Sequence, residues 1–174
     1  RFKAAWTRIV PPPLERAIYL GMTAVLVGLL VLLWRPIPVT VWAVEAPVAQ
    51  AAIWAAYLAV WGLMFSATFP IGHFRFFGLA QAWEAARGAP PAEPGFSARW
   101  LYGLLRHPIA LGWMLVPWLT PHMTAGQLVF AGGTLAYVLI ATGFEEADLA
   151  AELGETYRRY RREVPAFLPR LRRS

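Results

Sequence analysis

Two short polar clusters stand out in a chain that is otherwise poor in charge. Arg106-His107-Pro108 opens an apolar stretch that runs to Phe144 without a charged residue, and Glu145-Glu146 closes it. A proline at the first position of a helix leaves the backbone donors of the next turn free to face an anion. Two adjacent carboxylates offer acceptors to an ammonium group or to sugar hydroxyls. A zwitterionic ligand carrying a carboxylate, an amine and a ribose matches that combination. Acidic and imidazole groups at a membrane boundary are costly enough to mark a functional site. The plainer reading is a solvated helix end opposite a headgroup anchor, and the residues alone leave both open.

The remaining polar candidates are more scattered. His73 either orients a substrate or sits as an interfacial histidine, and Gln81 is a possible nucleobase or substrate contact. His122 reads as structural. Trp113, Met114 and Trp118 either line an apolar pocket or simply pack helices. Three separated histidines and no cysteine predict no metal site, and the lack of cysteine excludes disulfides, thiolate zinc sites and a cysteine nucleophile.

The elements that position these groups are set by hydrophobicity. Of 174 residues, 58% are hydrophobic and 15% charged, too apolar a balance for an ordinary soluble domain. Ala17 to Trp34 and Val48 to Gly72 are uncharged runs long enough for a hydrocarbon core of ~30 Å. The third apolar region is broken by Pro121-His122 and reads as a helical hairpin. Its first arm is extended backwards through Trp100–Leu105, with Pro108 making a kink. The expectation is an all-α, polytopic transmembrane helix bundle with spans near 15–34, 48–72, 101–120 and 124–144. A cytoplasmic amphipathic tail, 145–174, follows, with an apolar stripe of Leu149, Leu153, Tyr157, Tyr160 and Val164. Phe74 to Trp83 is expected as an interfacial helix, and Ala89 to Gly95 as irregular loop. The chain begins at Arg1 without a signal-peptide pattern and reads as the C-terminal portion of a longer protein, forming one domain over 1–174.

Fifteen of the sixteen Lys and Arg residues fall on one side of that topology, Arg35 being the exception. The positive-inside rule makes that side, with both visible termini, cytoplasmic. Topology and attraction to anionic lipid account for the formal charge of +6. Nothing resembling a base-stacking or groove-reading motif accompanies it, so a nucleic-acid partner is not expected. The oligomeric state is left open.

Three motifs in order carry a resemblance: Arg106-His107-Pro108-Ile109-Ala110-Leu111-Gly112, then Glu145-Glu146-Ala147-Asp148-Leu149, then Gly154-Glu155-Thr156-Tyr157-Arg158-Arg159-Tyr160 with Val164-Pro165. Together they resemble the C-terminal signature of the isoprenylcysteine carboxyl methyltransferase superfamily. Over nearly the whole chain the resemblance is to bacterial methanethiol S-methyltransferases and NnrU-type relatives. It includes Pro12-Pro13-Leu14-Glu15-Arg16, Trp34-Arg35-Pro36-Ile37-Pro38, His73-Phe74, Phe77-Gly78-Leu79 with Gln81, and Thr120-Pro121-His122-Met123-Thr124. It implies S-adenosyl-L-methionine bound at the cytoplasmic side, methylation of a small thiol, and a place in the bacterial inner membrane. Tyr102, His107, Pro108 and Glu145 match cofactor-contacting positions, and Glu146 and Gln81 join them as candidates. His107 and His73 are the candidates for catalysis, although the motif position of His107 points to cofactor contact first. Ala110 and Ala141 depart from the prenylcysteine enzymes, which place a tyrosine and a substrate-contacting arginine there. The alternatives are another membrane methyltransferase acting on a prenylcysteine carboxyl or lipid amine, a sterol-reductase-like enzyme, or a non-enzymatic membrane component.

Overall fold

The computed structural model describes residues 10–89 and 98–168, in two compact units. Arg1, Lys3 and Arg8, most of the expected Pro-rich loop around 90–95, and Arg170, Arg172 and Arg173 lie outside the described residues. The architecture is that of a helical membrane bundle, as the apolar runs require.

The first unit comprises the described parts of 1–35 and 68–96. Its long helix α1, Pro12–Leu33, starts on prolines, whose fixed φ and missing N–H suit the first turn of a helix. Leu29, Leu30, Val31, Leu32 and Leu33 are all exposed, as a lipid-facing surface requires. The interfacial helix expected over 74–83 is instead two short ones, α3 (His73–Phe76) and α4 (Leu79–Ala86). Gly78, with φ of 77°, makes the break between them, a conformation open to glycine and costly for other residues.

The second unit comprises 36–67 and the described part of 97–174. Helix α2, Pro47–Ala67, ends at the point where Met64 and Ala67 become buried. The arm expected over 101–120 is not one continuous helix. It forms a 3-10 turn at Trp100–Gly103, then helix α5, Pro108–Leu115, then a second 3-10 turn at Val116–Trp118. The reason lies in the backbone: Pro108 cannot donate to an upstream carbonyl, and the N–H groups of Arg106 and His107 bond to Pro165 and Ala166 instead, at 2.9 and 3.2 Å. Among the described residues three helices, α1, α2 and α6 (Ala125–Leu153), are long and apolar enough to cross a membrane, and α5 is shorter.

Helix α6, Ala125–Leu153, is the longest element. It starts in a capping box in which the Thr124 side chain accepts from the Gln127 amide while the Gln127 side chain accepts from the Thr124 N–H. At 29 residues it rises ~43 Å, more than a bilayer core. It therefore carries Glu145 and Glu146 inside a continuing helix, where the sequence reading put the start of the tail. The tail helix α7, Glu155–Glu163, is separate, because Gly154 at φ 58° turns the chain between them. The expected stripe does pack: Tyr157, Tyr160 and Val164 are buried against Leu149, Ala150 and Leu153.

The opposite end of this unit holds a small ribbon that sequence reading missed. Strand β1, Thr40–Ala43, pairs antiparallel with β2, His122–Thr124, in the register Thr40 to Thr124 and Ala43 to His122. The Ala125 and Gly126 amides donate to Val39 and Ile37, so the ribbon also caps the start of α6. Met123 is fully buried there, and the His122 ring nitrogen lies 3.4 Å from the Thr40 hydroxyl, in keeping with a structural role.

Helices α2 and α5 meet at Gly112, where a Cβ would overlap Cγ and Sδ of Met64. One turn along, Trp61 and Trp113 pack edge to face with centroids 5.7 Å apart. Gly112→Val should therefore lower stability in detergent by about 1–3 kcal/mol, the usual range for overpacking. Thermal unfolding checks this, and Met64→Ala in the same background should restore part of the loss.

Candidate functional site

The residues of the two polar motifs converge within the second unit. His107 is the residue before α5 and is 7% exposed; Pro108, at the first helical position, is fully buried. Twenty-one residues after it begins, α6 presents Glu146 to the imidazole, with His107 Nε2 3.0 Å from Glu146 Oε1. A carboxylate only accepts, so this nitrogen is assigned the proton and donates. The other ring nitrogen, Nδ1, faces Glu145 Oε2 at 3.6 Å. The imidazole thus stands between two consecutive carboxylates of one helix.

The two acids have different surroundings. The Glu145 side chain is 59% exposed, whereas that of Glu146 is 11% exposed. Arg106 donates to Glu146 Oε1 from Nε at 2.8 Å and approaches it from Nη2 at 2.6 Å. Arg161 lies on the other oxygen, Nε to Oε2 3.3 Å. Glu146 is therefore a buried internal counter-ion, held ionised by guanidinium groups that do not deprotonate. As a free acceptor for a ligand it is already taken. Glu145 is the acid that faces outward.

Arg106 has a second set of partners. Its Nη1 donates to the backbone carbonyls of Val164 and of Arg161, the latter at 3.1 Å. With the Arg106 and His107 amides bonded to Pro165 and Ala166, the segment after α7 is strapped back across the motif. Phe167 is thereby brought against His107, ring centroids 5.8 Å apart. A further tie joins Tyr160, whose hydroxyl donates to the Tyr102 carbonyl at 2.6 Å.

Tyr102 also belongs to this cluster. Burial, and then the negative charge of Glu145, push its hydroxyl up to about 12, so it remains a neutral phenol. Burial does the same to Tyr160, also to about 12. Tyr102, His107, Pro108, Glu145 and Glu146 thus come together. Arg106, Tyr160, Arg161 and Phe167 join them without having been singled out, although Arg106 and Tyr160 lay inside the quoted motifs.

His73 and Gln81 belong to the first unit and have local partners there. The His73 ring is hydrogen-bonded through Nδ1 to the Thr68 hydroxyl and packs edge-on against Phe69. The Gln81 amide donates to the Arg75 carbonyl at 3.0 Å, and its own oxygen is buried without a partner among the described residues. Arg75 and Glu84 form an ion pair beside it.

Fold and site together define a helical membrane protein with an acid–imidazole cluster built where a short helix meets a long one. Comparison with known proteins narrows this class. The chain is 48% identical to the methanethiol S-methyltransferase of Mycobacterium tuberculosis over 97% of its own length and 69% of the relative's. It is 42% identical to that of Pseudomonas deceptionensis, over 99% of this chain and 66% of the relative. Nurim of Homo sapiens is more distant, 29% identical over 83% of this chain and 58% of the relative. No family model and no solved structure matches. The chain belongs to the methanethiol S-methyltransferase family, and it spans about two thirds of the length of the bacterial relatives it matches.

The Tyr160 hydroxyl ties the tail to the Tyr102 carbonyl, and Tyr160→Phe deletes that bond. Loss of about 0.5–1.5 kcal/mol is expected, read as a lower unfolding temperature in detergent. An unchanged unfolding temperature would mean that the bond contributes nothing to tail docking.

Proposed function

We propose that this chain is the site-bearing part of a methyltransferase that uses S-adenosyl-L-methionine to methylate a small thiol, converting methanethiol to dimethyl sulfide. The reaction is placed at the cytoplasmic face of a bacterial inner membrane, with the visible N- and C-termini on that side, because fifteen of sixteen basic residues fall there. The observation that carries the reading is the pairing of an outward-facing carboxylate, Glu145, with a fixed imidazole in a chain of this family.

The donor set fits the cofactor. With its Nε2 proton committed to Glu146, His107 offers a lone pair at Nδ1, 3.6 Å from Glu145 Oε2. Two acceptors at that separation suit one ammonium group donating to both. The neutral Tyr102 hydroxyl supplies a donor beside them. Glu145, His107 and Tyr102 would hold the amino-acid end of the cofactor, with Pro108 shaping the turn beneath it and Glu146 fixing the imidazole.

When bound, S-adenosylmethionine supplies an electrophilic methyl on a sulfonium leaving group. The residues of the chain then need only align, hold and exclude water, and no covalent enzyme intermediate is required. Methanethiol ionises near neutral pH more readily than an alcohol, so a dedicated base is not required either. His107 acts first in holding the cofactor. Ala141, one turn before Glu145 on α6, carries no cation for a substrate carboxylate, which favours a small thiol over a prenylcysteine. A catalytic role for His73 and a cofactor contact for Gln81 stand in this proposal on the family resemblance.

Binding of S-adenosylmethionine to the full-length protein in detergent, measured by calorimetry, tests the site. Glu145→Ala should weaken it at least tenfold, consistent with loss of a charge-assisted bond worth about 1.5–3 kcal/mol; unchanged affinity would remove the assignment. Headspace analysis after adding methanethiol tests the substrate. Dimethyl sulfide is the expected product, and its absence from folded, cofactor-bound enzyme would refute the thiol reading. His73→Ala should lower the turnover number and Gln81→Ala the cofactor affinity; wild-type values would drop these residues from the proposal.

A further inference from the structure

Arg106 is the residue whose contacts the functional reading leaves without a purpose. Its side chain is 9% exposed, and the guanidinium divides its donors between two structures. Nε and Nη2 go to the Glu146 carboxylate of α6, while Nη1 goes to the carbonyls of Arg161 and Val164 at the end of the tail helix. A planar fork with five donors can serve both at once, whereas the single ammonium of a lysine cannot span the same set. The next two backbone links, Arg106 to Pro165 and His107 to Ala166, continue the strap directly toward Phe167. One buried cation thus fixes the carboxylate that orients His107 and also anchors the segment that lays Phe167 against the same imidazole.

We propose that Arg106 is a positioning residue for the methyl-transfer site, clamping the C-terminal segment 164–167 over His107 so that the orientation of the imidazole and the closure of the site are set together. The proposal rests on the methyltransferase reading for its catalytic consequence and on the geometry alone for the clamp. Because the guanidinium is committed to Glu146 and to the tail, it acts through His107 and Phe167 and takes no direct part in the reaction. Phe167 supplies an apolar face to the site, of the kind that would exclude water from a reacting thiolate.

These 174 residues contain no cysteine, so with any cysteine elsewhere in the full-length protein replaced a label can be directed to Leu168, which is exposed and next to the strap. The experiment uses the full-length protein in detergent carrying Leu168→Cys with a nitroxide, alone and combined with Arg106→Lys or Phe167→Ala. Label mobility reports the clamp without any cofactor, and the KM for S-adenosylmethionine and kcat with methanethiol report its consequence. Arg106→Lys keeps the charge beside Glu146 and should still fold. It is expected to mobilise the label and raise KM for the cofactor at least tenfold. Phe167→Ala leaves the Arg106 contacts in place and should keep the label immobile while lowering kcat. An immobile label with wild-type KM in Arg106→Lys would overturn the proposal, as would a loss of activity that only tracks the folded fraction. Wild-type protein that binds no cofactor would defeat the functional reading and the catalytic half of this proposal, and the label would still decide whether Arg106 clamps the tail.

Discussion

A buried ion pair is the constraint on which the rest of the second unit turns. Taking a guanidinium and a carboxylate out of water costs several kcal/mol per ion unless each is fully coordinated by partners. Arg106 and Glu146 satisfy each other and recruit what remains: the His107 ring, the Arg161 side chain, and two carbonyls at the end of the tail helix. These groups lie on three stretches of chain, residues 106–107, helix α6 and the end of α7, so satisfying one pair of charges fixes three segments relative to one another. In a chain of this hydrophobicity, where apolar helices gain little by leaving lipid for one another, such polar ties carry much of the specificity of packing.

The functional geometry follows from that constraint. Because Glu146 is consumed by Arg106 and His107, the neighbouring Glu145 is left facing outward, and two consecutive acids on one helix acquire opposite roles. Their positions differ by about 100° around the helix axis, enough for one to point at the interior network while the other faces outward. His107 is correspondingly held at Nε2 by Glu146 and faces Glu145 at Nδ1. The tail, often the most mobile part of a chain, is instead tied down through Tyr160, Val164, Pro165 and Ala166.

Much of this was legible in the sequence. The apolar runs gave α1, α2 and α6, and the three- and four-residue spacing of Leu149, Leu153, Tyr157, Tyr160 and Val164 gave the packed stripe. The meeting of His107 with Glu145 and Glu146 followed from a hairpin that leaves and returns. Three things were not legible, each for a physical reason. The arm at 101–120 reads as helix by hydrophobicity, but Pro108 and the backbone bonds to Pro165 and Ala166 draw residues 105–107 out of the helix. Arg106 is one of many arginines, and a charge count assigns all of them to topology because it cannot say which guanidinium turns inward. The ribbon of Thr40–Ala43 with His122–Thr124 joins two short connections whose composition carries no strand periodicity. His73 and Gln81, also candidates from the sequence, make hydrogen bonds to Thr68 and Arg75 within the first unit.

The organisation of the second unit depends on the coupling between Arg106 and Glu146. A double-mutant cycle with Arg106→Gln, Glu146→Gln and the pair, read by unfolding of the full-length protein in detergent, measures it directly. Residues sharing one buried network should show a coupling of about 2 kcal/mol, the double variant being much less damaged than the sum of the singles. Simple additivity would contradict the account, because it would mean that the two charges do not depend on each other and that nothing in the site is organised by them.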